Sequence, residues 1–174
     1  YETSSGEQVQ WIIGDSGARA VFAETEQHLA TIAEVRGELP GLAHVWGIDA
    51  GDLDAVVAQG QDVADEAIDE RRRSRTGDDL ATLVYTSGTT GRPKGCELTH
   101  ANFVLTARNA IQGAISEVAV DGSSTLLFLP LAHVFARLIQ VACIEGGIVL
   151  GHSDIGSLLP DLASFQPTFL LAVP

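Results

Sequence analysis

Apolar positions along this chain switch repeatedly between helical spacing and short continuous runs, and each switch marks an element. Ser5 with Gln8 three residues later has the form of a helix-capping box, and Val9, Ile12 and Ile13 make one apolar face behind it. That pattern predicts a helix ended by the stretch from Gly14 to Gly17. The run 20–23 predicts a short buried strand. Thr25 is placed to cap a helix reaching about Arg36, with Leu29, Ile32, Ala33 and Val35 near helical spacing, and Gly37, Pro40 and Gly41 break it. Residues 44–48 predict a second strand, 53–58 and 63–75 two short surface helices around Gly60, and 80–85 a third strand. After a glycine-rich stretch, 96–99 returns as an extended piece and 102–115 as a helix with His100 or Thr99 near its start. Strand 125–129 is stopped by Pro130. A helix over 134–145 carries Val134, Leu138, Val141 and Ala142 on one stripe. Strand 148–150, helix 158–165 and a last strand over 168–173 complete the pattern. Short apolar runs alternating with amphipathic helices imply an α/β fold, a mostly parallel sheet covered by helices.

Composition narrows the function classes. The 174 residues suffice for one domain with a core, and 45% apolar with 19% charged residues is a globular composition. The formal net charge of −13 argues against a nucleic-acid partner, which needs clustered Lys and Arg. The basic run from Arg71 to Arg75 follows Asp65, Glu66, Asp69 and Glu70, the spacing of a solvated helix face. Cys96 and Cys143 form no Cys-x-x-Cys pair, so neither a disulfide framework nor a zinc site is indicated. Both are expected to be reduced and buried, in a cytoplasmic protein. No signal peptide is visible, and the most apolar stretch, 126–150, carries Pro130, His133, Arg137, Gln140 and Glu145, too many interruptions for a transmembrane segment. The chain opens on Tyr1, has no Met, and closes after an apolar run. It is therefore expected to be a segment of a longer protein.

The candidate chemistry lies between the third strand and its return. From Thr86 to Lys94 the chain places Gly88, Gly91 and Pro93 among the hydroxyls of Thr86, Ser87, Thr89 and Thr90, with Lys94 at the end. Glycines let backbone amides approach a ligand, successive amide N–H groups make an anion cradle, and a lysine supplies a compact positive charge. The common nucleotide loop reads G-x-x-x-x-G-K-[ST] and opens directly into a helix. Here Lys94 stands three residues beyond Gly91, Gly95 follows it, and an extended segment comes next, so this is a different phosphate grip.

The run from Tyr85 to Gly95, YTSGTTGRPKG, resembles the phosphate loop of the adenylate-forming superfamily: acyl-CoA synthetases, luciferases and peptide-synthetase adenylation domains. The continuation ELTHAN over 97–102 is similar as well. The segment FLPLAHVFAR over 128–137 resembles the matching part of long-chain fatty acid–CoA ligases, with Ala136 standing where many of those carry an acid. The resemblance implies that residues 1–174 form a single partial domain, a segment of the large N-terminal AMP-binding domain of an adenylate-forming enzyme. The C-terminal domain and the Tyr-Gly-x-Thr-Glu motif do not occur in the segment.

The resemblance further implies a two-step ligase reaction. A fatty acid carboxylate attacks the α-phosphate of ATP, giving acyl-AMP and pyrophosphate. Coenzyme A, the co-substrate, then displaces AMP. The nucleotide-binding set implied is Thr86, Ser87, Gly88, Thr89, Thr90, Gly91 and Lys94. Lys94 and His133 are the implied catalytic residues, the histidine lying beside the acyl carboxylate. Mg2+ is expected to arrive with ATP. The remaining histidines, His28, His44, His100 and His152, have no metal-ligand spacing, so no metal site is assigned. The parent is expected to be an enzyme of lipid metabolism with small-molecule substrates and possible peripheral membrane contact, the segment alone inactive. Two alternatives stay open at this point: another adenylate-forming enzyme acting on aryl, acetyl or amino acids, and a non-catalytic anion-binding module.

Overall fold

Three helices begin where a short polar side chain satisfies their first free amides. At α1 (Gly6–Ser16) the Gln8 N–H donates to Ser5 Oγ and the Ser5 N–H donates to Gln8 Oε1. At α2 (Glu26–Val35) Thr25 and His28 exchange the equivalent pair, and at α5 (His100–Gln112) Thr99 and Asn102 do so. Each such cap is worth about 1 kcal/mol. Gly17 stops α1 in the left-handed conformation at φ 64°, which a residue without Cβ adopts at no steric cost.

The structure is a computed structural model and describes residues 3–86 and 92–172. It divides into two compact units, Tyr1–Thr76 with Tyr85–Cys96, and Gly77–Val84 with Glu97–Pro174. In the first unit, β1 (Ala20–Ala23) pairs in parallel with β2 (His44–Gly47), Ala20 opposite His44 and Ala23 opposite Gly47. Ile13, Ala23, Ile32, Leu39 and Leu42 form its buried core, with Val9, Val21, Leu29 and Val45 against them. The surface helices are α3 (Asp52–Gln59) and α4 (Asp65–Arg73). On α4, Asp69 takes ion pairs from Arg72 at 2.6 Å and Arg73 at 3.3 Å, the solvated acid–base face expected of that run.

The strand over 20–23 was expected to be buried, yet only Ala23 is. Alternate residues of a strand face opposite ways. Val21 and Ala23 meet the core, while Phe22 stays 52% exposed and stacks on Trp46 with centroids 4.9 Å apart. His44 stacks on Trp46 in turn, at 5.1 Å.

In the second unit, β5 (Ser124–Leu127) pairs in parallel with β6 (Val149–His152), and α6 (Val134–Gly146) lies between them in sequence. Leu127, Ala136, Ile139, Cys143 and Ile148 form the core. Helices α5 and α6 pack together, tied by Arg108 Nε to Glu145 Oε1 at 2.5 Å. Helix α7 (Leu158–Phe165) follows. The buried Ala136 explains why an acid is unsuited to that position here: it would sit fully desolvated among these side chains.

Two expectations are corrected. Residues 168–172 form no strand. The Thr168 and Phe169 N–H groups both donate to the Ser124 carbonyl, which anchors the chain without starting a ladder. Cys96 is exposed rather than buried, whereas Cys143 is buried. The alternation along β4 (Lys94–Thr99) turns the Cys96 side outward. No helix among the described residues is long and apolar enough to cross a membrane.

Candidate functional site

The glycine-rich run is held between β3 (Leu80–Thr86) and β4, which pair as a two-stranded sheet. Thr86 is the last residue of β3 and Lys94 the first of β4, both exposed. The strands thus bring to the loop's two shoulders the hydroxyl and the ammonium group that the sequence singled out. Ser87, Gly88, Thr89, Thr90 and Gly91 lie outside the described residues.

Both shoulders are tied to α1. Tyr85 Oη donates to Asp15 Oδ2 at 2.7 Å, and Trp11 Nε1 donates to the Pro93 carbonyl at 2.8 Å. The Arg92 guanidinium sits over the Trp11 ring, 4.7 Å from its centroid, a cation–π contact. Partial burial, then the bond to the Asp15 carboxylate, push the Tyr85 hydroxyl up to about 12. Gly95 passes directly beneath the Tyr85 ring: a Cβ there would lie 3.1 Å from Cζ. Trp11, Gln8, Asp15, Glu38, Arg92 and Pro93 line a polar groove of about 570 Å³. Sequence reasoning missed Trp11 and Asp15. Their partners are 82 and 70 residues away, and the only available signal was their four-residue spacing on the face of α1 opposite Val9 and Ile13.

His133 belongs to the second unit and is the N-cap of α6, in extended conformation at φ −88° and ψ 130°, and exposed. Its N–H donates to the Pro130 carbonyl at 3.0 Å, and its own carbonyl accepts from Arg137 N–H at 3.4 Å. The Phe128–Arg137 motif is therefore a tight turn from β5 into α6 that presents the histidine at the helix start. In the same unit a cleft of about 520 Å³ is lined by Phe103, Val104, Val141, Ile144 and Leu150, with Arg137 among its polar groups. Among the described residues no group of three His, Cys, Asp or Glu side chains is placed to hold a metal ion.

Residues 1–174 match the AMP-binding enzyme family along their whole length. A long-chain-fatty-acid–CoA ligase of Mycobacterium tuberculosis is 44% identical over 181 residues, covering 100% of this chain and 30% of the ligase. A peroxisomal long-chain acyl-CoA synthetase of Arabidopsis thaliana is 31% identical over 191 residues, covering 100% of this chain and 26% of the synthetase. The chain thus spans under a third of the length of these curated relatives. Among solved structures, the inhibitor-bound N-terminal domain of FACL13 from Mycobacterium tuberculosis superposes with a TM-score of 0.62 at 21% identity, covering 98% of this chain and 42% of that one. At that identity the likeness speaks for the fold: an α/β portion of such an N-terminal domain.

Proposed function

Because this chain belongs to the AMP-binding enzyme family, we propose that it supplies the pyrophosphate-gripping part of an ATP-dependent long-chain fatty acid–CoA ligase. The reading rests chiefly on one observation: the hydroxyl- and glycine-rich run leaves β3 at Thr86 and rejoins β4 at Lys94, with both shoulders fixed to α1.

The carboxylate of the fatty acid attacks the α-phosphorus of ATP, forming the acyl–oxygen–phosphorus bond of acyl-AMP as the bond to the pyrophosphate oxygen breaks. Negative charge grows on the leaving pyrophosphate. Lys94 and the loop's donors, Thr86 through Gly91, meet that charge as it develops, and one such preorganised donor is commonly worth about 2–4 kcal/mol in the transition state. His133 is assigned to orient the acyl carboxylate by a hydrogen bond from its imidazole N–H. The sulfur of coenzyme A then attacks the acyl carbon and AMP leaves. Magnesium is carried in on the ATP phosphates as part of the substrate. The whole protein is placed in the cytoplasm, with peripheral membrane contact to collect its apolar substrate. The relatives named for long-chain acids support that choice over aryl, acetyl or amino acids.

Lys94→Ala in the full-length protein tests the reading. Fatty-acid-dependent pyrophosphate exchange is expected to fall about 100- to 1,000-fold with the fold intact. Near-normal exchange would remove Lys94 from the mechanism. The 174-residue chain by itself is expected to show little ATP binding by calorimetry, since the adenine and ribose contacts are assigned to the rest of the protein. Strong binding would favour the anion-binding-module alternative.

A further inference from the structure

Helix α1 has two working faces. Val9 and Ile13 point into the core of the first unit. Trp11 and Asp15, also four residues apart, point the other way and hold the Pro93 carbonyl and the Tyr85 hydroxyl. The Ser5–Gln8 capping box fixes where this helix starts, and Gly17 stops it two residues beyond Asp15.

We propose that Trp11 and Asp15 are positioning residues that preset the span of the phosphate loop for ATP by fixing its two shoulders to one rigid helix face. This rests on the proposed role of the loop. Strand ends that are free must be ordered when a phosphate binds between them, and that ordering weakens binding; ends fixed in advance avoid it. The Trp11 bond is partly buried, whereas the Asp15 bond is exposed and competes with water. Arg92, stacked on Trp11, adds a second hold on the outgoing shoulder.

The test uses the full-length protein and steady-state kinetics for all three substrates. Trp11→Phe keeps the ring under Arg92 and removes only the N–H. It is expected to raise KM for ATP about fivefold, leaving KM for fatty acid and for coenzyme A unchanged. Asp15→Ala and Tyr85→Phe are each expected to give a smaller rise of the same kind, and their combination no more than either alone, because they break the same bond. Asp15→Asn, which keeps an acceptor, should recover most of the loss. Thermal midpoints are read alongside. Unchanged KM for ATP, or all three KM values moving together with the midpoint, would overturn the positioning role. A wild-type protein without any fatty-acid-dependent pyrophosphate exchange would instead sink the function itself, and the inference with it.

Discussion

Replacing Gly95 with alanine puts a methyl group under the Tyr85 ring. On the observed backbone that carbon lies 3.1 Å from Cζ, 3.2 Å from Oη and 3.3 Å from Cε1. Favourable carbon–carbon contact begins near about 3.5 Å, so the ring must retreat by a few tenths of an ångström. The Gly95 backbone is not in the left-handed region, so the cost comes from the ring. Overpacking in a closed core costs about 1–3 kcal/mol, and the half-buried Tyr85 can pivot outward, which favours the lower end. That pivot also stretches the 2.7 Å bond to Asp15, worth about 0.5–1.5 kcal/mol and less where water competes. The sum of about 1–2 kcal/mol corresponds to about a five- to thirtyfold change in an equilibrium constant. The expected result in the full-length protein is a folding stability lowered by about 1–2 kcal/mol, read as a lowered thermal midpoint, and a KM for ATP raised by no more than Asp15→Ala raises it. In a Tyr85→Leu background the obstructing ring atoms are gone, and the same glycine substitution is expected to cost almost nothing. An alanine variant with normal KM and midpoint would refute the reasoning. So would an equal penalty with and without the ring.

Thr125 is fully buried in β5, and its Oγ1 has no hydrogen-bond partner among the described residues, so Thr125→Val is expected to stabilise the fold by about 1 kcal/mol in urea unfolding; a loss of stability would reveal a hidden partner. Tyr85 loses its proton near 10.0 when unfolded and about 12 when folded. Its contribution to stability is therefore whole below about pH 10 and is lost as pH rises through about 12, and Asp15→Ala is expected to shift the tyrosinate absorbance transition back toward the lower value. A thiol reagent is expected to label exposed Cys96 in the folded chain but Cys143 only on unfolding, since burial both shields that thiol and pushes its pKa up; peptide mass spectrometry after brief labelling decides this.

Helix starts were the most legible part of the sequence, because a capping box is a local exchange over three residues. Ser5–Gln8 and Thr25 marked α1 and α2, and for α5 the sequence left the start between Thr99 and His100, of which Thr99 is the cap. The loop motif was legible for the same reason: its chemistry is continuous in sequence. What escaped depends on distant partners. Residues 168–173 look like a strand by composition, but a strand needs a ladder, and here the Thr168 and Phe169 amides share the one Ser124 carbonyl while Phe169 and Leu171 pack on the core. The outward turn of Cys96 depends on the register of β4. Trp11 carries no local sign of its hydrogen-bond partner, because the Pro93 carbonyl at its ring nitrogen lies 82 residues on.

That indole also gives the chain an intrinsic optical probe. The 174 residues contain two tryptophans, Trp11 and Trp46, so Trp46→Phe leaves a single tryptophan in the chain. Its emission depends on a guanidinium overhead and a carbonyl at the ring N–H, both belonging to the strap that carries Lys94. Any displacement of that strap changes the polarity around the excited ring, so its motion can be followed in real time without attaching a dye.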